Sequence, residues 1–198
     1  MVKSQHSSAD KTRAKILSSA FELFTEKGFT GTSIRDIAND AKVNINLIYH
    51  HYLTKKKLWE SVLEDSSSKY SIDVKVENYD FTDLKKLLIK LTDSYFNFFK
   101  SNPKILRLIN WVKMEEDKNI IIHQNYMLKI KPVLLKMVEA KLINLELDID
   151  FICLFVLSSI LSVFENKSIV FQNVEFEIVQ RNYMNFIVDR IYNSIKAN

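Results

Sequence analysis

Residues that turn the chain or end helices are almost absent from this sequence. Only two glycines and two prolines are spread over 198 residues. Glycine-rich phosphate loops and turn-rich β-sandwiches need many more of them, so the sequence argues against both. Apolar residues make up 47% of the chain, enough to bury a sizeable core. We therefore expect an all-α protein of long helices joined by short polar connections.

Apolar residues recur at helical spacing along most of the chain, in about nine segments, and no strand pattern is convincing. Pro132 lies inside a helical stretch at about 120–145 and should kink or divide it. Residues 150–165 are apolar almost all round, which predicts a helix that is buried on several sides. A last apolar stripe follows at about 175–196.

Three short helical segments lie within about 45 residues near the N-terminus, and a fourth opens at Thr54. The second reads "IRDIANDA" and the third "NINLIYHHY", with the short turn "KV" between them. Ser33 and Asp36 can form a capping box, Asn44 and Thr54 are natural N-caps, and Gly28 suits the end of the first helix. Three helices this close together, with a tight turn before the third, predict a helix-turn-helix DNA-binding motif.

The net charge of +4 is confined to the same part of the chain. Residues 1–60 hold ten Lys or Arg and six Asp or Glu, whereas residues 61–198 hold 18 of each kind. A basic end on a neutral body favours a polyanion as the partner, although four charges are a weak signal by themselves.

Residues 9–60 resemble the DNA-binding domain of the TetR family of transcriptional regulators. The residues that carry the resemblance are Gly28, Phe29, Thr32, Ser33, Ile37, Ala38, Tyr49, His50, His51, Tyr52, Lys55 and Leu58. The chain departs from the family pattern at Lys42, where the turn usually has Gly, and at Asn44-Ile45-Asn46, where Ser-x-Gly is usual. Lys42 adds a charge near the DNA, and Asn46 offers an amide that can pair with adenine.

The resemblance implies a domain organisation and a set of DNA contacts. A flexible tail would cover residues 1–8, a helix-turn-helix DNA-binding domain 9–54, and a helical effector-binding and dimerisation domain 55–198. The third helix would read bases, and its end and neighbouring elements would hold phosphates. The DNA-binding residues would be Thr32, Ser33, Lys42, Asn44, Ile45, Asn46, Leu47, Tyr49, His50, His51 and Lys55.

The adjacent His50 and His51 also raise the alternative of a metal or catalytic site. Side chains that share a helix face are three or four residues apart, and adjacent ones point about 100° apart. The other histidines, His6 and His123, are distant in sequence, and no catalytic triad order, Gly-rich loop or carboxylate pair accompanies the two. We therefore expect no metal, no cofactor and no enzyme activity. We interpret the two histidines as hydrogen-bond donors to the phosphates of DNA.

Aromatic and methionine side chains in the second part of the chain have two interpretations. They form the core, or they line a mostly apolar effector pocket between helices. The candidate pocket residues are Tyr95, Phe99, Asn110, Trp111, Met114, Glu115, Tyr126 and Met127. An enzyme or carrier would need a polar catalytic cluster within residues 83–198, and the sequence offers none.

The two apolar segments near the C-terminus exceed what the core of a monomer needs. Two such helices from each of two chains can form a four-helix interface, as the TetR family does. A dimer also brings two recognition helices to two half-sites of DNA. The longest apolar run, 151–164, is shorter than the roughly 20 residues that span a bilayer. With a polar N-terminus that lacks a signal-peptide core, we expect a cytoplasmic protein without a membrane partner.

These features predict a homodimeric TetR-like repressor that an apolar small-molecule effector releases from a double-stranded DNA operator. Two alternatives remain: a helical small-molecule-binding enzyme or carrier whose N-terminal unit docks partners, and a DNA-binding activator without effector control. Sequence does not separate activation from repression.

Overall fold

The computed structural model describes residues 8–70, 75–115, 121–144, 148–170 and 175–196. Within these ranges the chain forms α-helices, one 3₁₀ helix at Val76–Asn78 and a single β-bridge between Ile143 and Lys196. The nine α-helices of the described ranges are α1 (Ser8–Lys27), α2 (Ile34–Ala41), α3 (Ile45–Tyr52), α4 (Lys55–Lys69), α5 (Leu84–Ser101), α6 (Pro103–Met114), α7 (Ile121–Glu139), α8 (Ile149–Val170) and α9 (Phe176–Ile195). The predicted all-α class is confirmed, and most of the expected tail, residues 1–7, lies outside the described residues.

The chain packs into two compact units that are not contiguous in sequence. Unit 1 comprises Met1–Tyr70 and Asn102–His123, and unit 2 comprises Ser71–Ser101 and Gln124–Asn198. Unit 1 therefore takes in α4 and α6 as well as the first three helices. This grouping differs from a division at residue 54, and the boundary of the functional domains stays a prediction.

Helix α1 is central to unit 1 because it packs against α2, α4 and α6. Its residues Ile16, Ala20 and Phe24 repeat at a spacing of four and are fully buried. The ring of Phe24 meets the ring of Trp59 edge-on, with 5.0 Å between centroids. Such an edge-to-face pair adds to the stability that burial of the two rings supplies.

Two features of the structure require glycine at position 28, directly after α1. Its φ of 74° lies in the left-handed region, which glycine adopts without steric cost. In addition, a Cβ at this position would lie 2.6 Å from a ring carbon of Trp111 on α6. The predicted role of Gly28 at the end of the helix is confirmed, and the close approach of α6 is a second constraint on the same residue.

Helix α5 is central to unit 2, where it packs against α8 and α9. Its aromatic residues Tyr95, Phe96 and Phe99 are buried, and the ring of Phe96 lies 4.9 Å from that of Phe164. Helix α7 runs through Pro132 as one element, so a division at this proline does not occur. The candidate residues Tyr95 and Phe99 therefore belong to the core of unit 2.

Helix α8 is longer than the sequence indicated, at Ile149–Val170 instead of about 150–165. Its window Ile149–Asn166 has a mean hydropathy of 1.7 and is long and apolar enough, by composition alone, to cross a membrane. The apolar stretch is therefore four residues longer than the predicted run 151–164. Of this window, 39% is buried inside the protein, so much of its apolar surface has no partner within the described chain.

Candidate nucleic-acid interface

Helices α2 and α3 form the predicted helix-turn-helix. Ile37, Ala38 and Ala41 of α2 are buried, and the two alanines leave room for the next helix to approach. Lys42 adopts φ 54° and ψ 48°, and the N–H of Val43 donates to the carbonyl of Ala38 at 3.0 Å. A left-handed lysine costs on the order of 1 kcal/mol relative to glycine. Lys42 thus takes a left-handed conformation, which glycine, usual at this turn, adopts without that cost.

Side-chain caps begin α2, α3 and α4. The Ser33 hydroxyl accepts from the N–H of Asp36 at 3.1 Å, and the Asp36 carboxylate accepts from the N–H of Ser33 at 3.0 Å. The hydroxyl and the N–H of Ser33 hold the pKa of Asp36 below its ordinary value. The side chain of Asn44 accepts the N–H of Asn46 at 2.9 Å, and the Thr54 hydroxyl accepts an N–H three residues on at 3.1 Å. All three predicted caps are confirmed.

One face of α3 is buried and the other is free. Ile48 and Tyr52 are buried, and the hydroxyl of Tyr52 donates to the carbonyl of Arg13 at 3.3 Å. Burial raises the pKa of Tyr52, with the Arg13 interactions opposing it. The exposed face carries Asn46, Leu47, Tyr49 and His50, with Ile45 and His51 half-buried at its sides.

The two histidines lie on different sides of the last turn of α3. The ring centroids of His50 and His51 are 5.3 Å apart and the ring planes are at 89°. Within the described residues, no group of three or more His, Cys, Asp or Glu side chains could hold a metal ion. The arrangement suits two separate hydrogen-bond donors more than a shared ligand site.

The lysines at the start of α4 have different surroundings. Lys55 is half-buried, with its ammonium group 4.3 Å from the centre of the Phe29 ring. Burial lowers the pKa of this amine, and the carboxylate of Glu115 opposes the shift. Lys56 is exposed, whereas Lys57 pairs at 2.7 Å with a glutamate one turn on. Lys55 is thus the lysine whose position is fixed by packing.

Thr32 and Ser33, both predicted to contact phosphates, have different environments. Only 1% of Thr32 is exposed, and its hydroxyl donates to the carbonyl of Gly28 at 2.8 Å. Ser33 stays exposed at the start of α2, where it forms the capping box. The hydroxyl of Thr32 therefore has a partner inside the fold, a distinction that the sequence pattern did not make.

Leu53, between α3 and α4, is an exposed apolar residue beside the candidate interface that the sequence pattern did not single out. Its side chain is 73% exposed, and its backbone has φ 62° and ψ −49°. The N–H of Thr54 donates to the carbonyl of Tyr52 at 2.6 Å, which closes a strained γ-turn around the leucine. Its signal in the sequence was an apolar residue in a link of only two residues between helices.

The candidate effector residues on α6 have structural contacts within unit 1. The indole N–H of Trp111 donates to the carbonyl of Thr25 at 3.2 Å. The carboxylate of Glu115 accepts from the N–H of Thr30 at 3.0 Å and from its hydroxyl at 2.6 Å. Asn110 is half-buried and Met114 is exposed; the side chains of Tyr126 and Met127, on α7, lie outside the described part of the chain. An effector-binding role for this set stays a prediction.

Residues 16–62 match the sequence model of a family described as bacterial regulatory proteins, tetR family. The match includes the second part of α1, all of α2 and α3, and the first half of α4. Residues 16–62 are thus similar to the N-terminal domain of TetR-family regulators. The resemblance is therefore confirmed on the residues that carry it.

Curated relatives of this chain include regulators that are named as repressors. The HTH-type transcriptional repressor NicS of Pseudomonas putida is 31% identical over 101 residues, which are 51% of this chain and 48% of NicS. The HTH-type transcriptional repressor SCO4008 of Streptomyces coelicolor is 34% identical over 106 residues, 54% of this chain and 52% of that protein. The matches thus span about half the length of these relatives.

Solved structures resemble this chain over almost its whole length. A TetR-family transcriptional regulator from Haemophilus influenzae has a TM-score of 0.68 at 17% identity, covering 96% of this chain and 100% of the other. HlyIIR, a hemolysin II transcriptional regulator, has a TM-score of 0.62 at 19% identity, with 96% and 100% covered. At such low identity the likeness establishes the fold, which extends beyond the N-terminal domain.

Proposed function

We propose that this chain is a DNA-binding transcriptional regulator that acts in the cytoplasm as a homodimeric repressor. The observation that carries the proposal is the exposed face of α3 in a TetR-family helix-turn-helix. Relatives named as repressors support the sign of regulation. A recognition helix of this kind lies in the major groove and contacts base edges through the residues of its first turns.

The exposed polar groups around α3 suit the phosphates of a duplex. Tyr49 and His50 project from α3, and Lys42 stands exposed in the turn before it. The start of α4 presents free backbone N–H groups and the positive end of a helix dipole beside Lys55. Phosphate contacts of this kind position a protein on DNA, and the first turn of α3 is left for the bases.

A second copy of the chain suits the exposed apolar surface of α8 and α9. Phe151 is 72% exposed and Phe186 is 55% exposed, values that are high for phenylalanine on a surface without a partner. The exposed large apolar residues of the two helices are Phe151, Leu154, Phe155, Ile178 and Phe186. A four-helix interface would bury them and would use the apolar composition of α8. Sedimentation of the wild type against Phe151→Lys tests this, since a charge there should favour monomers.

Effector control by an apolar small molecule is the second part of the proposal. A ligand that binds only the native state raises the unfolding temperature with its concentration. A thermal-shift screen with apolar compounds should therefore find a ligand, and the same ligand should release the protein from DNA. A ligand that stabilises the protein and leaves DNA binding unchanged would contradict effector control.

The DNA-binding proposal is tested by mobility shift on DNA that flanks the chain's own gene, at several salt concentrations. Counterion release makes phosphate-driven binding weaken as salt rises. Lys55→Ala should weaken binding to all sequences alike, whereas Asn46→Ala should change the sequence preference. Lys86→Ala, an exposed lysine of unit 2, is the matched control and should bind as the wild type does. Absence of salt-sensitive binding at every sequence would overturn the proposal.

A further inference from the structure

We infer that the half-site read by α3 consists mainly of A·T pairs, with Asn46 reading adenine and Leu47 contacting thymine methyl groups. This inference rests on the proposed function and names the class of DNA sequence that the protein takes. It follows from which side chains α3 leaves exposed and which chemistry each base pair presents in the major groove.

The major-groove edges of the four bases call for different side chains. Guanine shows two acceptors, which Arg or Lys fill best, and cytosine shows a donor that suits a carboxylate. Adenine shows an acceptor beside a donor, which the amide of Asn or Gln matches in a bidentate pair. Thymine carries a methyl group, which an apolar side chain contacts. The exposed residues of a recognition helix therefore restrict the bases that it can read.

The eight residues of α3, "INLIYHHY", contain no Arg, Lys, Asp or Glu. The best readers of guanine and cytosine are thus absent from the whole helix. Basic side chains lie only at its two ends: Lys42 in the preceding turn, and His50 and His51 in the last turn. The first turns of α3, which meet base edges in this motif, have no cation of their own.

Asn46 is placed to read a base with its side chain. Its backbone N–H is already satisfied by the side chain of Asn44, at 2.9 Å. The Asn46 side chain itself is exposed in the first turn, and no hydrogen bond to its amide is present among the described residues. Its donor and acceptor are therefore both available to one adenine.

Leu47 gives the same face an apolar group. It is 42% exposed, while the next residue, Ile48, is 1% exposed and anchors the helix. In α2 every exposed residue is polar: Arg35, Asp36, Asn39 and Asp40. Exposure of a large apolar side chain is thus particular to α3 in this motif, and the thymine methyl is the apolar group of the major groove.

Selection of binding sites from random duplex DNA by the full-length protein tests the inference directly. We expect A·T pairs at the central positions of each selected half-site. A preference for G·C pairs there would overturn this inference and leave the proposed function intact. Failure to bind any duplex in a salt-sensitive way would overturn both.

Modified bases in the selected site then assign each contact to a residue. Replacing thymine by uracil removes only the methyl group and should weaken wild-type binding about fourfold per contacted methyl. Replacing adenine by 7-deazaadenine removes the N7 acceptor and should weaken it by about 5- to 150-fold. The affinity of Leu47→Ala should not change when uracil replaces thymine. The affinity of Asn46→Ala should not change when 7-deazaadenine replaces adenine.

Asn39→Ala is the matched control, because Asn39 is an exposed asparagine of the same motif that lies on α2. It should keep the wild-type response to both modified bases. Both α3 substitutions are at exposed positions, so circular dichroism should show a fold like the wild type's. Wild-type sensitivity to uracil in Leu47→Ala, or to 7-deazaadenine in Asn46→Ala, would overturn the assignment.

Discussion

The α2–α3 motif and the contact between α1 and α6, called the seam below, belong to the same compact unit. Hydrogen bonds between residues close in sequence stabilise the motif, whereas hydrogen bonds between residues far apart in sequence stabilise the seam. In the motif, and at the start of α4 directly after it, each capping hydrogen bond joins residues two or three positions apart. In the seam, Lys104, Trp111 and Glu115 hydrogen-bond to α1 and the turn after it across 82 to 86 positions. Sequence spacing reveals the first kind of contact and is silent about the second.

The largest expected effect on stability comes from Gly28→Ala, which disrupts the contact between α1 and α6. The left-handed backbone and the clash of a new Cβ with Trp111 together should lower the free energy of unfolding by about 2–4 kcal/mol. Both tryptophans of the chain, Trp59 and Trp111, lie in unit 1, so denaturant unfolding followed by tryptophan fluorescence reports on it.

The same substitution in a Trp111→Ala background tests whether the indole causes part of the lost stability. Without the indole, Gly28→Ala should retain only the backbone part of its cost, about 1–2 kcal/mol. An equal cost in both backgrounds, measured by fluorescence from Trp59, would mean that the seam does not constrain residue 28.

Next in size is Ser33→Ala, which attacks the local motif. Loss of the N-cap should lower the free energy of unfolding by about 1 kcal/mol. Ser68→Ala removes an exposed hydroxyl in the last turn of α4 and should change stability by less than about 0.5 kcal/mol. Thermal unfolding of the two variants beside the wild type checks this; equal midpoints would show that the capping box adds nothing.

A pair of left-handed lysines sharpens the comparison further. Lys42 and Lys141 have φ 54° and φ 58°, so glycine at either position should raise the free energy of unfolding by about 0.5–1 kcal/mol. Only Lys42→Gly should also weaken DNA binding, because only Lys42 lies in the motif. Titrations at several salt concentrations should then show a slope smaller by about one phosphate. The same loss with Lys141→Gly would contradict the placement of the DNA surface.

The smallest expected effect is the pH dependence of the stability that the contact between Glu115 and Thr30 contributes. The hydroxyl of Thr30, and then its N–H, lower the pKa of Glu115 below the ordinary value of 4.5. The stability from this contact is therefore present above pH 4.5 and is lost as the pH falls through the lowered pKa. Glu115→Gln should remove this part of the acid dependence, which unfolding midpoints between neutral and acid pH would show. Identical acid profiles for the wild type and the variant would contradict it.

Much of the motif could be predicted from the sequence because its determinants are local. Ser33, Asn44 and Thr54 cap helices through side chains that reach a backbone N–H only two or three residues away. Gly28 marks a helix end by its own conformational freedom. The limits of α2 and α3 follow from these residues and from the apolar spacing between them.

The surroundings of other site residues could not be predicted, since they depend on distant partners. The sequence offered Trp111 and Glu115 only as aromatic and acidic residues on a helix, and a pocket was one interpretation of them. Their hydrogen bonds reach Thr25 and Thr30, which no spacing rule connects to residues so far along the chain. Thr32 matched the family pattern, yet whether its hydroxyl faces DNA or the fold depends on how the turn packs.

The contacts between α1 and α6 also set a condition for moving the helix-turn-helix of this protein into another chain. A helix-turn-helix module cut at residue 70, where the first segment of unit 1 ends, would leave Gly28 uncovered and Thr30 without its carboxylate acceptor. Such a module would have to carry α6 along, or carry substitutions that replace the lost cover. Transfer of this unit to another chain therefore needs two segments, residues 102–115 together with the first 70.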